Sequence, residues 1–204
     1  VHVEVNPAVA LEERRAAALK LLDQNEIIEL STKPSLWFVA IVSAHEPDGD
    51  DLRACVWSIL NQRGAVVDEV HVVDDGSTHR PVQPFAHPRV RWHRRLKGGR
   101  SAAQAYVLDR LEPGDWDFVL TVDGDHMLDE RSVEHQLRAF SRPWVTATTG
   151  MVIARNARQN LLTRIEDLHR GTSRSMWMSR SLPGELSLTS EAPAVYRAPV
   201  VFQH

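Results

Sequence analysis

Cysteine is almost absent: Cys55 stands alone in 204 residues, which excludes an internal disulfide and suits a reducing compartment. Long hydrophobic runs are missing too. The longest, near Phe38 to Ala44, is far short of the roughly 20 residues that cross a bilayer, so no transmembrane helix is expected in this chain. Neither sign of charge dominates: 24 basic residues face 27 acidic ones for a net of -3. That balance gives no general pull toward nucleic acid, and any phosphate binding must be local. The first residues lack the basic start and apolar run of a secretory signal, which implies a cytoplasmic protein. No repeat or low-complexity stretch occurs. The ten histidines show neither a helical H-x-x-x-H pair nor clustering with cysteine, which argues against a zinc site. Gly-x-Ser-x-Gly, Walker and dinucleotide glycine fingerprints are all lacking.

What is present is ordinary for a folded chain, 43% hydrophobic and 25% charged, and the length suits one compact unit. Asn6-Pro7 with Leu11, Ala18 and Leu22 at helical spacing predicts an amphipathic N-terminal helix to about Leu30. Ser31 to Ser35 reads as a linker, so residues 1–35 are expected to form an extension and residues 36–204 the domain. Trp37 to Ser43 is a buried-strand pattern. After Glu46-Pro47-Asp48-Gly49, the spacing of Leu52, Cys55, Val56, Ile59 and Leu60 predicts a helix capped near Asp50. Val70 to Val73, Val90 to Trp92 and Phe118 to Val122 read as strands, with Ser101 to Leu111 helical between the last two. Val145 to Ile153 is a broken strand pattern, Leu161, Ile165 and Leu168 mark a helix, and Ala194 to Val201 reads as a last strand interrupted by Pro199. Alternating strands and helices predict an α/β fold with a Rossmann-like, mostly parallel sheet covered on both faces.

In an open parallel sheet, ligands bind beyond the carboxyl ends of the strands. Three predicted strands end there in polar clusters: Ser43-Ala44-His45-Glu46, Asp74-Asp75-Gly76-Ser77-Thr78 and Asp123-Gly124-Asp125. Two carboxylates one small residue apart can offer hard oxygens to Mg2+ or Mn2+, although acidic turns after strands are commonly only solvated caps. Asp74 to Ser77 is likewise readable as a turn followed by a cap. Lys97-Gly98-Gly99-Arg100 stands directly before a helix, where amides and dipole favour an anion; the alternative is a flexible basic turn. His126 is singled out among the histidines only because it adjoins Asp125. Trp144, Trp177, Met176 and Met178 read as core or partner-face residues.

Taken together, the ordered motifs resemble the family 2 glycosyltransferases of GT-A fold. The resemblance runs from about Phe38 to Val201 and rests on Ser43-Ala44-His45-Glu46-Pro47, Ser58-Ile59-Leu60-Asn61-Gln62, Val72 to Thr78, Gly98 to Gln104, Val122-Asp123-Gly124-Asp125 and Thr149-Gly150. Val195-Tyr196-Arg197 is similar to a segment of the hyaluronan synthase, NodC-like and chitin synthase branch. The resemblance implies a metal-dependent, inverting transfer of a sugar from a nucleotide diphosphate donor, a UDP-sugar, to a hydroxyl of a glycan or other acceptor. By it Ala44, Glu46 and Asp75 contact the nucleoside with Asp74 nearby, Arg100 and Lys97 face the diphosphate, and Asp123 and Asp125 hold sugar, ribose or a metal-bound phosphate, the metal being Mn2+ or Mg2+.

The chain also departs from that pattern. The family's acidic base in a Glu-Asp or Gly-Asp-Asp motif, its Gln-x-x-Arg-Trp motif and its membrane helices come later than His204, and Ser190-Glu191-Ala192 replaces the acceptor segment, leaving Glu191 as the one substitute base on offer. The N-terminal segment reads equally as a dimer element, a membrane-surface contact or a lid, and association with the inner face of a membrane or with a partner protein stays open. A truncated or degenerate module that binds nucleotide or a partner chain without turnover is the alternative the missing base favours. A nucleotidyltransferase lacks its glycine-rich loop here, and an Asp-x-Asp phosphatase would leave Asp75 and the basic loop unused.

Overall fold

A computed structural model describes residues 36–143, 145–150, 152 and 193–202. The first strand, β1 (Phe38–Ala44), is buried along its whole length. A strand with both faces apolar has to lie inside a sheet with helices on either side, and β1 is central. It pairs in parallel with β2 (Glu69–Asp75) on one side and with β4 (Phe118–Asp123) on the other. β3 (Val90–Arg95) adds in parallel outside β2. β6 (Ala194–Arg197) runs antiparallel to β4, and β5 (Ala147–Thr149) antiparallel to β6. The order is β3-β2-β1-β4-β6-β5. The sheet is thus a mixed one, parallel through its first four strands, and it matches the α/β class expected from the sequence.

Side-chain alternation sorts the core into two layers. Phe38, Ala40, Val42 and Ala44 face α1 (Gly49–Leu60), which contributes Leu52, Cys55, Val56, Ile59 and Leu60. Val39 and Ile41 face the opposite layer with Val73, Val119 and the residues Ala103 and Val107 of α2 (Arg100–Leu108). The α1 cap is Asp48 and not Asp50: the Asp48 carboxylate accepts the amides of Asp50 and Asp51 at 3.0 and 3.4 Å. An acceptor two or three residues upstream of free amides satisfies them best, and Asp50 itself supplies one of those amides. Burial pushes the Cys55 thiol above its ordinary range, so this thiol is not poised to react.

Three further differences from the sequence reading have local causes. β3 extends to Arg95, because its polar residues Arg91, His93 and Arg94 suit a sheet edge even though they break the apolar pattern. The expected last strand stops at Arg197 and turns into the short helix α4 (Ala198–Val201), whose Pro199 sits in the first turn, where a missing N–H costs nothing. A helix absent from the sequence reading, α3 (Ser132–Arg138), buries Val133, packs against β5 and β6 and continues as a 3-10 turn that buries Phe140. The N-terminal helix, Trp144, the pattern at Leu161 to Leu168, Met176 to Met178 and Glu191 lie outside the described residues.

On the α2 side, His71 and His93 stack at 5.1 Å with Nδ1 and Nε2 2.9 Å apart. Burial pushes His71 down to about 4 and lowers His93 as well. Both rings are therefore neutral in the folded chain, whereas in the unfolded chain they protonate near about pH 6.5. Their contribution is complete above that value and disappears as the pH falls through the folded pKa. The thermal midpoint should decline from pH 6.5 to 4, and in His71→Leu that decline should be shallower; an unchanged slope in a melting series would show that the pair does not couple to folding.

Candidate functional site

Strand register places the polar strand ends side by side. Ser43 lies opposite Val73 and Asp123, Ala44 opposite Asp74, and Asp75 opposite Arg95. The same parity that puts Ile41, Val73 and Val119 on the α2 face puts Ser43, Asp75 and Asp123 there too. Their carboxylates consequently meet the start of α2. A cleft of ≈ 500 Å³ opens at this edge, lined by Ser43 to Asp48, Asp75, Lys97, Gly99, Arg100 and Asp123 to Asp125. It sits between β1 and β4, where chain order around the sheet reverses, the position at which open α/β sheets take ligands.

Asp75, only 4% exposed, is the most deeply buried carboxylate lining the cleft. Its carboxylate accepts the amides of Gly98 at 3.1 and 3.2 Å and Gly99 at 2.7 Å, and an Arg95 guanidinium N–H at 2.6 Å. Burial raises its pKa, and those amides with Arg95 outweigh the burial and hold it below the usual carboxylate range. The glycine amides that the sequence offered to an anion are thus donated to a carboxylate of the chain itself. Gly99 takes φ +87°, a backbone state that side chains with a Cβ avoid, at the α2 N-cap. Arg95, which the sequence reading did not single out, is the third partner.

Glu46 borders the cleft from a backbone at φ +48°. Its carboxylate accepts the amides of Thr78, His79 and Arg80 at 2.5 to 3.1 Å and the Thr78 hydroxyl at 3.2 Å. Led by the Thr78 and His79 amides, these donors draw its pKa down to about 2. In return its own amide donates to Ser77 Oγ at 2.8 Å. Asp74 does not line the cleft. It sits on the α1-facing parity, accepts the Ser77 amide at 2.9 Å and lies 3.7 Å from Arg94. Ala44 forms part of the floor, and Lys97 is exposed on the wall.

Asp123 accepts Ser43 Oγ at 3.2 Å and Arg100 Nε at 2.7 Å on Oδ1, while Arg100 Nη2 contacts Oδ2. Asp123, Asp125 and His126 can bring one ligand atom each within 4.8 Å of one another. His126 Nδ1 is buried; it lies 3.2 Å from Asp125 Oδ1 and 4.0 Å from Asp123 Oδ2. His126 first, then the Asp125 backbone amide and Arg100, lower the Asp125 pKa despite an opposing contribution from burial. Two carboxylates and an adjacent imidazole nitrogen suit a hard or borderline divalent ion, Mn2+ more than Mg2+ once nitrogen takes part. The sequence marked His126 only by its place beside Asp125; the return of the chain after Gly124, with the His126 amide donating to Asp123 O at 3.0 Å, is what brings the ring inward.

Gly124 sets the spacing of the two aspartates. A Cβ there would meet Leu52 Cδ1 at 2.9 Å, Ala44 Cβ at 3.1 Å and Ser43 O at 3.3 Å. Gly124→Ala should destabilise the chain by about 1–3 kcal/mol, as overpacking does, and should weaken Mn2+ binding; calorimetric melting with a Mn2+ titration checks both. For Glu46, amide exchange should be slow at Thr78, His79 and Arg80 above about pH 4.3, its ordinary pKa, and lose protection as the pH falls toward about 2. Glu46→Gln should exchange faster at all three amides at neutral pH, and equal rates would remove the role given to this carboxylate.

The residues 39–201 match the family model described as glycosyl transferase family 2. Among curated relatives, the hyaluronan synthase of Streptococcus pyogenes is 30% identical over 177 residues, covering 79% of this chain and 41% of that protein. The N-acetylglucosaminyltransferase of Bradyrhizobium diazoefficiens is 31% identical over 134 residues, 63% of this chain and 27% of that protein. Its counterpart from Azorhizobium caulinodans is 29% identical over 137 residues, again 63% of this chain and 33% of the relative. The chain therefore spans about two fifths or less of the length of these relatives. Among the described residues, no helix is long and apolar enough to cross a membrane.

Proposed function

The chain belongs to glycosyl transferase family 2, and from that premise we propose that its cleft binds a nucleoside diphosphate sugar, UDP-linked, and donates the sugar to an acceptor hydroxyl with inversion at the anomeric carbon. The observation that carries the reading is the convergence of Asp75, Asp123 and Asp125 with Lys97 and Arg100 on one cleft at the strand ends. A pyrophosphate carries dense negative charge, and its binding demands cations or a metal bridge in just such a recess. The names of the relatives make N-acetylglucosamine the first sugar to test.

In this reading Asp123, Asp125 and His126 hold Mn2+ or Mg2+, which supplies positive charge to the leaving diphosphate. Ser43 orients Asp123 through its Oδ1. The Asp75 carboxylate, by gripping Gly98 and Gly99, sets the entrance of α2 and with it the direction of Lys97 and Arg100. Glu46 and Ala44 border the end of the cleft assigned to the nucleoside. The acceptor oxygen bonds to the anomeric carbon as the bond from that carbon to the diphosphate oxygen breaks. The hydroxyl proton passes to a base, and the diphosphate keeps the bonding pair.

Calorimetry should show UDP binding that requires Mn2+. Asp123→Asn and Asp125→Asn should each weaken it by at least about tenfold, the loss typical of residues that merely support a metal. Absence of UDP binding with Mn2+ present would remove the reading. With UDP-N-acetylglucosamine as donor, release of UDP in the presence of oligosaccharide separates a working transferase from a module that binds without turnover.

A further inference from the structure

Arg100 occupies an unexpected place for a residue aimed at a diphosphate. Its guanidinium lies along Asp123, with Nε 2.7 Å from Oδ1 and Nη2 on Oδ2. Such a two-pronged pair uses one in-plane lone pair of each oxygen. Ser43 Oγ adds a further donor on Oδ1. A divalent ion held by Asp123 together with Asp125 and His126 is left the remaining lone pair of Oδ2, directly beside the guanidinium, and would place two positive charges against the one already there. Guanidinium and ion therefore compete for one carboxylate.

The backbone allows the exchange. Arg100 is the first residue of α2, its side chain is partly exposed at 29%, and both it and Asp123 line the cleft. Rotation about its side-chain bonds moves the charge without disturbing the helix, whose entrance stays pinned by Asp75 through Gly98 and Gly99. Lys97 stands on the same wall, so that wall is where a second anion would find cations.

We propose that Arg100 is the resident counter-cation of Asp123, that it exchanges with the divalent ion, and that on leaving Asp123 it pairs with the diphosphate. This rests on the reading of the cleft as a metal and nucleotide site, and adds to it a mutual dependence. Without nucleotide, the guanidinium holds Asp123 and the ion binds weakly. With nucleotide, the guanidinium has a better partner, Asp123 is released and the ion binds tightly. By reciprocity the ion tightens nucleotide binding by the same factor. Arg100 thereby makes the two ligands arrive together.

The test is Mn2+ binding to the intact chain without nucleotide, read by loss of the free-ion electron paramagnetic resonance signal. Arg100→Gln should bind Mn2+ about tenfold more tightly than the unmodified chain, because an occluded site lowers apparent affinity by its free fraction. Saturating UDP should then raise Mn2+ affinity much less in Arg100→Gln than in the unmodified chain, with Arg100→Lys intermediate. Unchanged or weaker Mn2+ binding in Arg100→Gln, with Asp123→Asn abolishing it, would overturn the exchange while leaving the metal site standing. Mn2+ affinity indifferent to both Asp123→Asn and Asp125→Asn would instead remove the site and the exchange with it. A measurement on the unmodified chain does not depend on the folding of a variant: the Arg100 Nε–Hε resonance should move on titration with Mg2+ and move further on addition of UDP, and a resonance unaffected by either would overturn the proposal.

Discussion

The carboxylate of Asp75 is the point through which three separate parts of the chain are tied. It ends β2, it takes an N–H of Arg95 from the neighbouring strand, and it takes the amides of Gly98 and Gly99 from the entrance of α2. A buried anion survives only when its charge is answered by donors at close range, and here the answering donors are the segments that carry Arg95, Lys97 and Arg100. Desolvation of one side chain thus compels the basic loop to fold over the edge of the sheet. Remove that demand and the loop has no reason to keep φ +87° at Gly99. The whole cation-bearing wall of the cleft is organised from this residue.

Much of this was legible from the sequence because the signals are local. A fully apolar run such as Phe38 to Ala44 needs covering on both faces, so a sheet with helical layers follows almost from that strand alone. Strand-end clusters at Ser43 to Glu46, Asp74 to Thr78 and Asp123 to Asp125 lie at one edge because parallel strands point one way, and the structure brings Ala44, Glu46, Asp75, Lys97, Arg100, Asp123 and Asp125 to one cleft. What the residues bind there is the part carried by the proposal.

Other features depended on information that adjacent letters do not carry. Asp74 and Asp75 are the same residue type in the same turn, yet strand parity sends one to cap Ser77 and the other to the start of α2. Reading that difference requires knowing which layer each strand face meets. Arg95 passed unnoticed because its meaning comes from register with Asp75. The helix Ser132–Arg138 has a weak apolar stripe, and its place is fixed by partners distant in sequence: Gln62 Oε1 accepts the Val133 amide at 2.9 Å. Pro199 was read as breaking a strand, when it opens a helical turn.

Gly124 has a consequence that reaches past the cleft. Its lack of a side chain lets β4 lie against Ala44 and Leu52, two members of the hydrocarbon core. The gap between the flanking carboxylates is therefore an inheritance of oily packing rather than a quantity the surface can adjust. Retuning the chelate for an ion of another radius would have to begin inside the protein, by reshaping the leucine beneath it, before any acidic residue was touched.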